Sequence, residues 1–228
     1  MKPLFFLPFL LIFSSCVMTQ TLSEDNSELR FTQAWVWEYE NELIPENEPG
    51  HQGEMVVYFH PELNYWLFNF ESFGVSGEMF EWILAKPDGS YLISGKDEFG
   101  KSIMWEEKLE FDRNKAIPDY YSPTFQTKIF NENDLGYDEI LGKEFKIKYE
   151  KTEETSTVFL TEYPQNFLPL YHFNRLNLEA KIPLNFSLDL PENQLVLEEE
   201  TQTPNGKIKM SLTMISSTEH FIDLADKF

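Results

Sequence analysis

From Leu29 onward the chain repeats one pattern: large apolar side chains at every second position, in short runs cut by turn residues. Leu29, Phe31, Trp35, Trp37 and Tyr39 share one parity, and Arg30, Thr32, Glu38 and Glu40 share the other. Successive side chains of a strand point to opposite faces, so this spacing predicts a long strand with one buried aromatic face. Ten further candidate runs follow, at 54–60, 65–71, 79–86, 91–94, 102–111, 125–130, 143–151, 157–162, 194–201 and 207–216. Turn chemistry separates them at Pro87-Asp88-Gly89, Glu98-Phe99-Gly100, Gly136, Gly142 and Thr203-Pro204-Asn205-Gly206. About eleven strands with hairpin-length links predict a mainly β fold, an antiparallel meander. No βαβ alternation supports a Rossmann-type sheet.

Other segments qualify this picture. Residues 169–178 carry the one helical spacing, at Leu170, Phe173 and Leu176 or Asn177, and Pro183 stops any continuation. The segment reads as a short surface turn, with a lid or a plug on the sheet as the alternative. Lys143, Lys146, Lys148 and Lys151 flank Phe145, Ile147 and Tyr149, a pattern that protects a sheet edge or a solvent face. No shift of composition divides residues 29–228, which read as a single β-rich domain. In the last hairpin, a four-residue turn over residues 203–206 puts proline and glycine where a type I turn prefers them. That register sets Glu200 directly opposite Lys209.

The chain has 21 Phe, 10 Tyr and 5 Trp among 228 residues, side chains that favour strands and fill a core. A chain of this length buries roughly 70% of its unfolded surface and needs no disulfide to hold together. The formal net charge of −21 repels phosphate backbones and anionic headgroups, which disfavours nucleic acid as a partner.

The search for catalytic chemistry yields little. The segment from Asn131 to Gly136 starts like a calcium loop, but Leu135 and Gly142 stand where the loop needs oxygen ligands. Gly74-Val75-Ser76-Gly77 has its second glycine one residue too early for a nucleophile elbow. His51, His60, His172 and His220 are scattered, without metal-ligand spacing, and no glycine-rich phosphate loop occurs. No cofactor or metal is therefore predicted. His60-Pro61-Glu62 with His51 holds an imidazole and a carboxylate, though a strand end explains the tripeptide. Glu199 shares the face of Leu195 and Leu197, while Glu198 and Glu200 point away. An inward carboxylate would mark a functional site; at a strand end Glu199 is expected to be solvated.

Two resemblances add to this reading. Residues 1–16 have a basic start, an apolar run from Leu4 to Phe13, then Ser14-Ser15-Cys16 with the chain's one cysteine. This resembles a bacterial lipoprotein signal, with Phe13 departing from the usual leucine. The resemblance implies a signal peptide over 1–15, lipidation of Cys16 and a flexible acidic tether over 16–28. It also implies export to the bacterial cell envelope, with the outer membrane as the expected site and the lipid as the membrane partner. The run Gly136-Tyr137-Asp138-Glu139-Ile140-Leu141-Gly142, the lysine-flanked strand and Thr157-Val158-Phe159-Leu160 resemble the second half of uncharacterised secreted bacterial β proteins. Those proteins share the open half-barrel of periplasmic lipoprotein carriers. Over roughly residues 135–215 this implies a single curved antiparallel sheet with one or two short helices and a concave face that holds something apolar. No functional residue transfers.

The expected function is that of a non-enzymatic envelope lipoprotein binding an apolar or amphipathic small molecule or lipid. Trp35, Trp37, Trp66, Trp82 and Trp105 are the candidate ligand-contacting residues. The alternatives are an assembly protein that contacts glycan or another envelope protein, and an enzyme with an unrecognised acidic site. An apolar cavity favours the first, an exposed aromatic row the second and convergent buried carboxylates the third.

Overall fold

The computed structural model describes residues 28–73, 79–113, 115–130, 140–148, 154–183 and 190–224. Among them eleven strands form one sheet: β1 (Glu28–Asn41), β2 (Gln52–His60), β3 (Tyr65–Phe68), β4 (Phe80–Ala85), β5 (Ser90–Lys96), β6 (Ser102–Lys108), β7 (Tyr121–Phe130), β8 (Ile140–Lys148), β9 (Thr155–Glu162), β10 (Gln194–Thr203) and β11 (Gly206–Asp223). Every pairing is antiparallel, in the order β6-β5-β4-β3-β2-β1-β11-β10-β9-β8-β7. β6 and β7 are the two edges and do not pair with each other, so the sheet stays open. All eleven predicted strands are present.

One long connection, from β6 to β7, carries the chain from one edge to the other. Its Leu109, Phe111 and Ile117 pack on the same inner cluster that receives Tyr91 and Ile93 from β5 and Phe145 and Ile147 from β8. Side chains from both flanks meet in one interior because the sheet curves, as the half-barrel resemblance implies. At the β4–β5 turn, Gly89 has φ +90°, and an added Cβ would collide with the Leu109 carbonyl. Only glycine fits there.

The expected surface turn at 169–178 is instead a plug. α1 (Leu168–Tyr171) and the 3-10 turn Phe173–Arg175 bring Leu170, Tyr171, Phe173 and Leu176 into the inner cluster, joined by Phe167, Ala180 and Ile182. The inner face is rich in aromatic residues, which need a cover to leave water. The chain supplies that cover between β9 and β10.

The single aromatic face expected for β1 also needs correction. Trp35 and Trp37 face the inner cluster, but Phe31, with Leu29 against it, packs with Leu67, Trp82, Leu84 and Ile222. In β3, Trp66 and Phe68 belong to the inner cluster and Leu67 to the other, so the two clusters occupy opposite faces of the sheet. The change of face coincides with a register shift between Phe31 and Gln33. A bulge inserts a residue and inverts the alternation beyond it.

The lysine-rich strand is not an edge. β8 lies between β7 and β9, and Lys143, Lys146 and Lys148 are exposed on it. The predicted hairpin register holds: Glu200 is the cross-strand partner of Lys209, and Thr203 pairs with Gly206 around the turn.

Candidate functional site

The five tryptophans do not form one site. Trp35, Trp37 and Trp66 come together, with the rings of Trp35 and Trp37 stacked at 6.0 Å and those of Trp35 and Trp66 edge-on at 5.4 Å. Phe167 of the plug lies 5.7 Å from both Trp35 and Trp66. The Trp66 indole N–H donates to the Asn166 carbonyl at 2.8 Å, and the Tyr91 hydroxyl donates to the Pro169 carbonyl at 2.8 Å. The Tyr171 hydroxyl donates to the Gln194 carbonyl at 2.6 Å and accepts from the Val196 N–H at 2.9 Å. These contacts fill the deep concave face with the protein's own atoms. Trp105 sits at its margin against Phe80, 6.1 Å away, and Trp82 belongs to the outer face. Cys16 lies outside the described residues, as do the segments 74–77 and 131–136 that the sequence singles out.

Open apolar space remains at the mouth of the half-barrel. A cavity of about 220 Å³ lies between Tyr39, Ile44, Phe73, Ile182, Pro183 and Ile208. β1 supplies Tyr39, β11 supplies Ile208, and the end of the plug supplies Ile182 and Pro183. Tyr39 lies flat across Gly53 of β2, where a Cβ would come within 2.7 Å of its hydroxyl. Ile182 is fixed from both sides by Asn174, whose side-chain amide donates to the Ile182 carbonyl at 3.0 Å and accepts from the Ile182 N–H at 2.9 Å. Just past the end of β1, Glu42 is tied to the last hairpin by the Lys207 N–H, which donates to its carboxylate at 2.9 Å.

Directly behind Pro183 and Ile208 is Glu199, on β10. The expectation that it is solvated is wrong: Glu199 is 3% exposed and faces inward between Val158 and Met210. Burial pushes its pKa up to about 8, opposed in part by the Thr201 hydroxyl, which donates to Oε1 at 3.3 Å. Ser156 bonds Thr201 in turn at 2.7 Å. Glu199 Oε2 has no hydrogen-bond partner among the described residues. A small cavity adjoining it is lined by Pro183, Thr201, Ile208, Lys209 and Met210.

The histidines give no catalytic grouping. His51 and His60 bracket β2, so its whole length separates them. His51 bonds the Ile44 carbonyl at 2.7 Å, which is structural. A cluster the sequence does not suggest lies on the outer face. The Tyr58 hydroxyl donates to Glu71 at 2.8 Å, and the Tyr58 ring stacks on His220 at 4.1 Å. Burial, with help from Glu71, pushes the Tyr58 pKa up to about 12, and burial lowers that of His220. Its members lie far apart in sequence, and only the pairing of β1 with β2 and β11 brings them together. The buried carboxylates Glu144 and Glu199 do not converge, because Glu144 pairs across from Phe159 and Glu199 from Val158. Among the described residues, no group of three acidic, histidine or cysteine side chains could hold a metal ion, and no helix is long and apolar enough to cross a membrane. No protein-family model matches this chain, and no curated protein matches it.

Proposed function

We propose that this chain is an exported envelope lipoprotein, anchored through Cys16, that works by binding an apolar or amphipathic small molecule at the mouth of its half-barrel. The observation that carries this reading is the apolar cavity between Tyr39, Ile44, Phe73, Ile182, Pro183 and Ile208. It is smaller than a typical ligand pocket of roughly 300–1,000 Å³, which suits a slender occupant such as an acyl chain. The deep aromatic face serves as a foundation that fixes the plug and so shapes this mouth. Placing the ligand there, and not against the tryptophans, revises the choice of contact residues made from sequence.

Native mass spectrometry of gently extracted protein tests the reading. A bound apolar species should co-purify, and Ile208→Glu, which puts a charge in the mouth, should remove it. Ligand-free protein from every extraction condition would overturn the proposal. Cys16→Ser separately tests the anchor, since it should release the protein from membranes. A second reading, docking of an envelope protein or glycan on the outer face, is favoured by Phe70, which is 70% exposed, and by exposed Phe221.

A further inference from the structure

We propose that protonation of Glu199 gates the mouth: the neutral carboxyl keeps the plug end at Ile182 and Pro183 seated, and the ionised form draws in water and releases it. The geometry is specific. Glu199 Oε2 is buried without a partner among the described residues, and the cavity beside it is closed by Pro183 and Ile208, two residues that also wall the mouth cavity. A carboxylate with one unbonded oxygen in an apolar setting is costly, whereas the neutral acid is tolerated. Room of about 10 Å³ adjoins it, close to the size that one water needs. Further hydration requires Pro183 to move.

Among the described residues, no other charge resolves this conflict. On β11 the Lys209 ammonium is turned to Glu198, 4.0 Å away on the other side of the sheet. On β10, Glu198 takes the Lys128 and Lys209 ammoniums and Glu200 the Lys207 ammonium, all outside. On β9, Val158 and Ser156 face this region and do not titrate. On the plug, the Tyr171 phenol feels Glu199 but is held neutral by complete burial. Lys181, next to Ile182, donates to the Asn174 and Leu176 carbonyls at 3.1 and 2.8 Å. The gate therefore answers to one proton. Between an ordinary carboxyl value in the open form and about 8 in the closed form, the open fraction should rise on the order of tenfold per pH unit.

The inference rests on the mouth being the ligand site, but its test needs no ligand, so its failure and that of the binding proposal are distinguishable. Amide hydrogen exchange over residues 176–183 is measured from about pH 5 to about pH 8, corrected for the intrinsic rate. Opening should grow steeply in the wild type and stay flat in Glu199→Gln, which keeps the shape without the charge. Equal slopes in both proteins overturn the gate. Should the glutamine variant fail to fold, carbon-13 titration of the wild-type carboxyls decides. A midpoint for Glu199 in the ordinary range, about 4 to 5, overturns the proposal, and one near 8 that coincides with the end of the exchange rise supports it.

Discussion

The two faces of the sheet are both aromatic-rich, yet they are covered by different means. On the inner face, Trp35, Trp37 and Trp66 lie under a dedicated segment whose backbone carbonyls at Asn166 and Pro169 receive hydrogen bonds from Trp66 and Tyr91. On the outer face, Phe31, Leu67, Trp82, Leu84 and Ile222 are covered by the paired ends of β1 and β11, flanked by the Arg30–Glu219 ion pair and by exposed Phe70 and Phe221. The inner cover is an added piece with its own polar attachments, while the outer one is the sheet turning back on itself. The first can be detached without breaking a strand pairing, and the second cannot. Motion that leaves the strand pairings intact therefore belongs to the inner side.

The largest expected effect tests whether the inner face dominates stability. Trp66→Ala should cost about 3–5 kcal/mol, since a fully buried ring and its bond to Asn166 are lost together. Trp82→Ala, on the outer face, should cost less in the same guanidinium unfolding experiment. An equal or larger loss at Trp82 would erase the distinction.

The second effect is pH dependence of global stability. Glu199 is raised in the folded state to about 8, so folding retains its proton more strongly than the unfolded chain does. The contribution is complete below the ordinary carboxyl value, falls through the interval up to about pH 8 and is gone above it, a change of a few kcal/mol. Glu199→Leu should remove that slope and leave any slope due to the surface carboxylates in place. A variant slope identical to the wild type would show that the inner face carries no titrating group of consequence.

Third comes the attachment itself. Tyr171→Phe strands the Gln194 carbonyl and the Val196 N–H, at a cost of about 1–3 kcal/mol, and should raise hydrogen exchange in the plug more than in β3 or β4. Uniform loss of protection across the sheet would mean that the plug is not a separable cover. The smallest effect is on the outer side: Arg30→Ala removes an exposed ion pair and should change stability by about 1 kcal/mol or less.

Much of this fold was legible in the sequence because each strand carries its own alternation and each link its own turn residues. The Glu200–Lys209 register followed from turn chemistry combined with the sorting of charged and apolar faces. The faces themselves were harder to assign. Phe31 and Trp35 share a parity, as do Phe80 and Trp82, but a register shift lies between the members of each pair and sends them to different clusters. One extra residue leaves almost no mark in a pattern, yet it reverses everything beyond it. The plug was hidden for another reason: α1 has only four residues, too few to show a helical period, and its burial depends on strands far away in sequence. Glu199 was identified as inward-facing but expected to be wet, because nothing local indicates that Pro183 and Ile208 close over it.

The place of β1 in the sheet has a consequence for the order of events in the cell. β1 sits at the centre, between β2 and β11, so the first described strand waits for the last described strand before its second side is paired. The intervening chain can zip outward from β1 to β6 as hairpins, but the seam between the two halves closes only once β11 has been made. Pairings so distant in sequence form slowly and leave apolar edges open meanwhile. A chain built this way lacks its central seam until β11 is available. It also makes β11 the step on which a late truncation or a stalled ribosome would be most damaging.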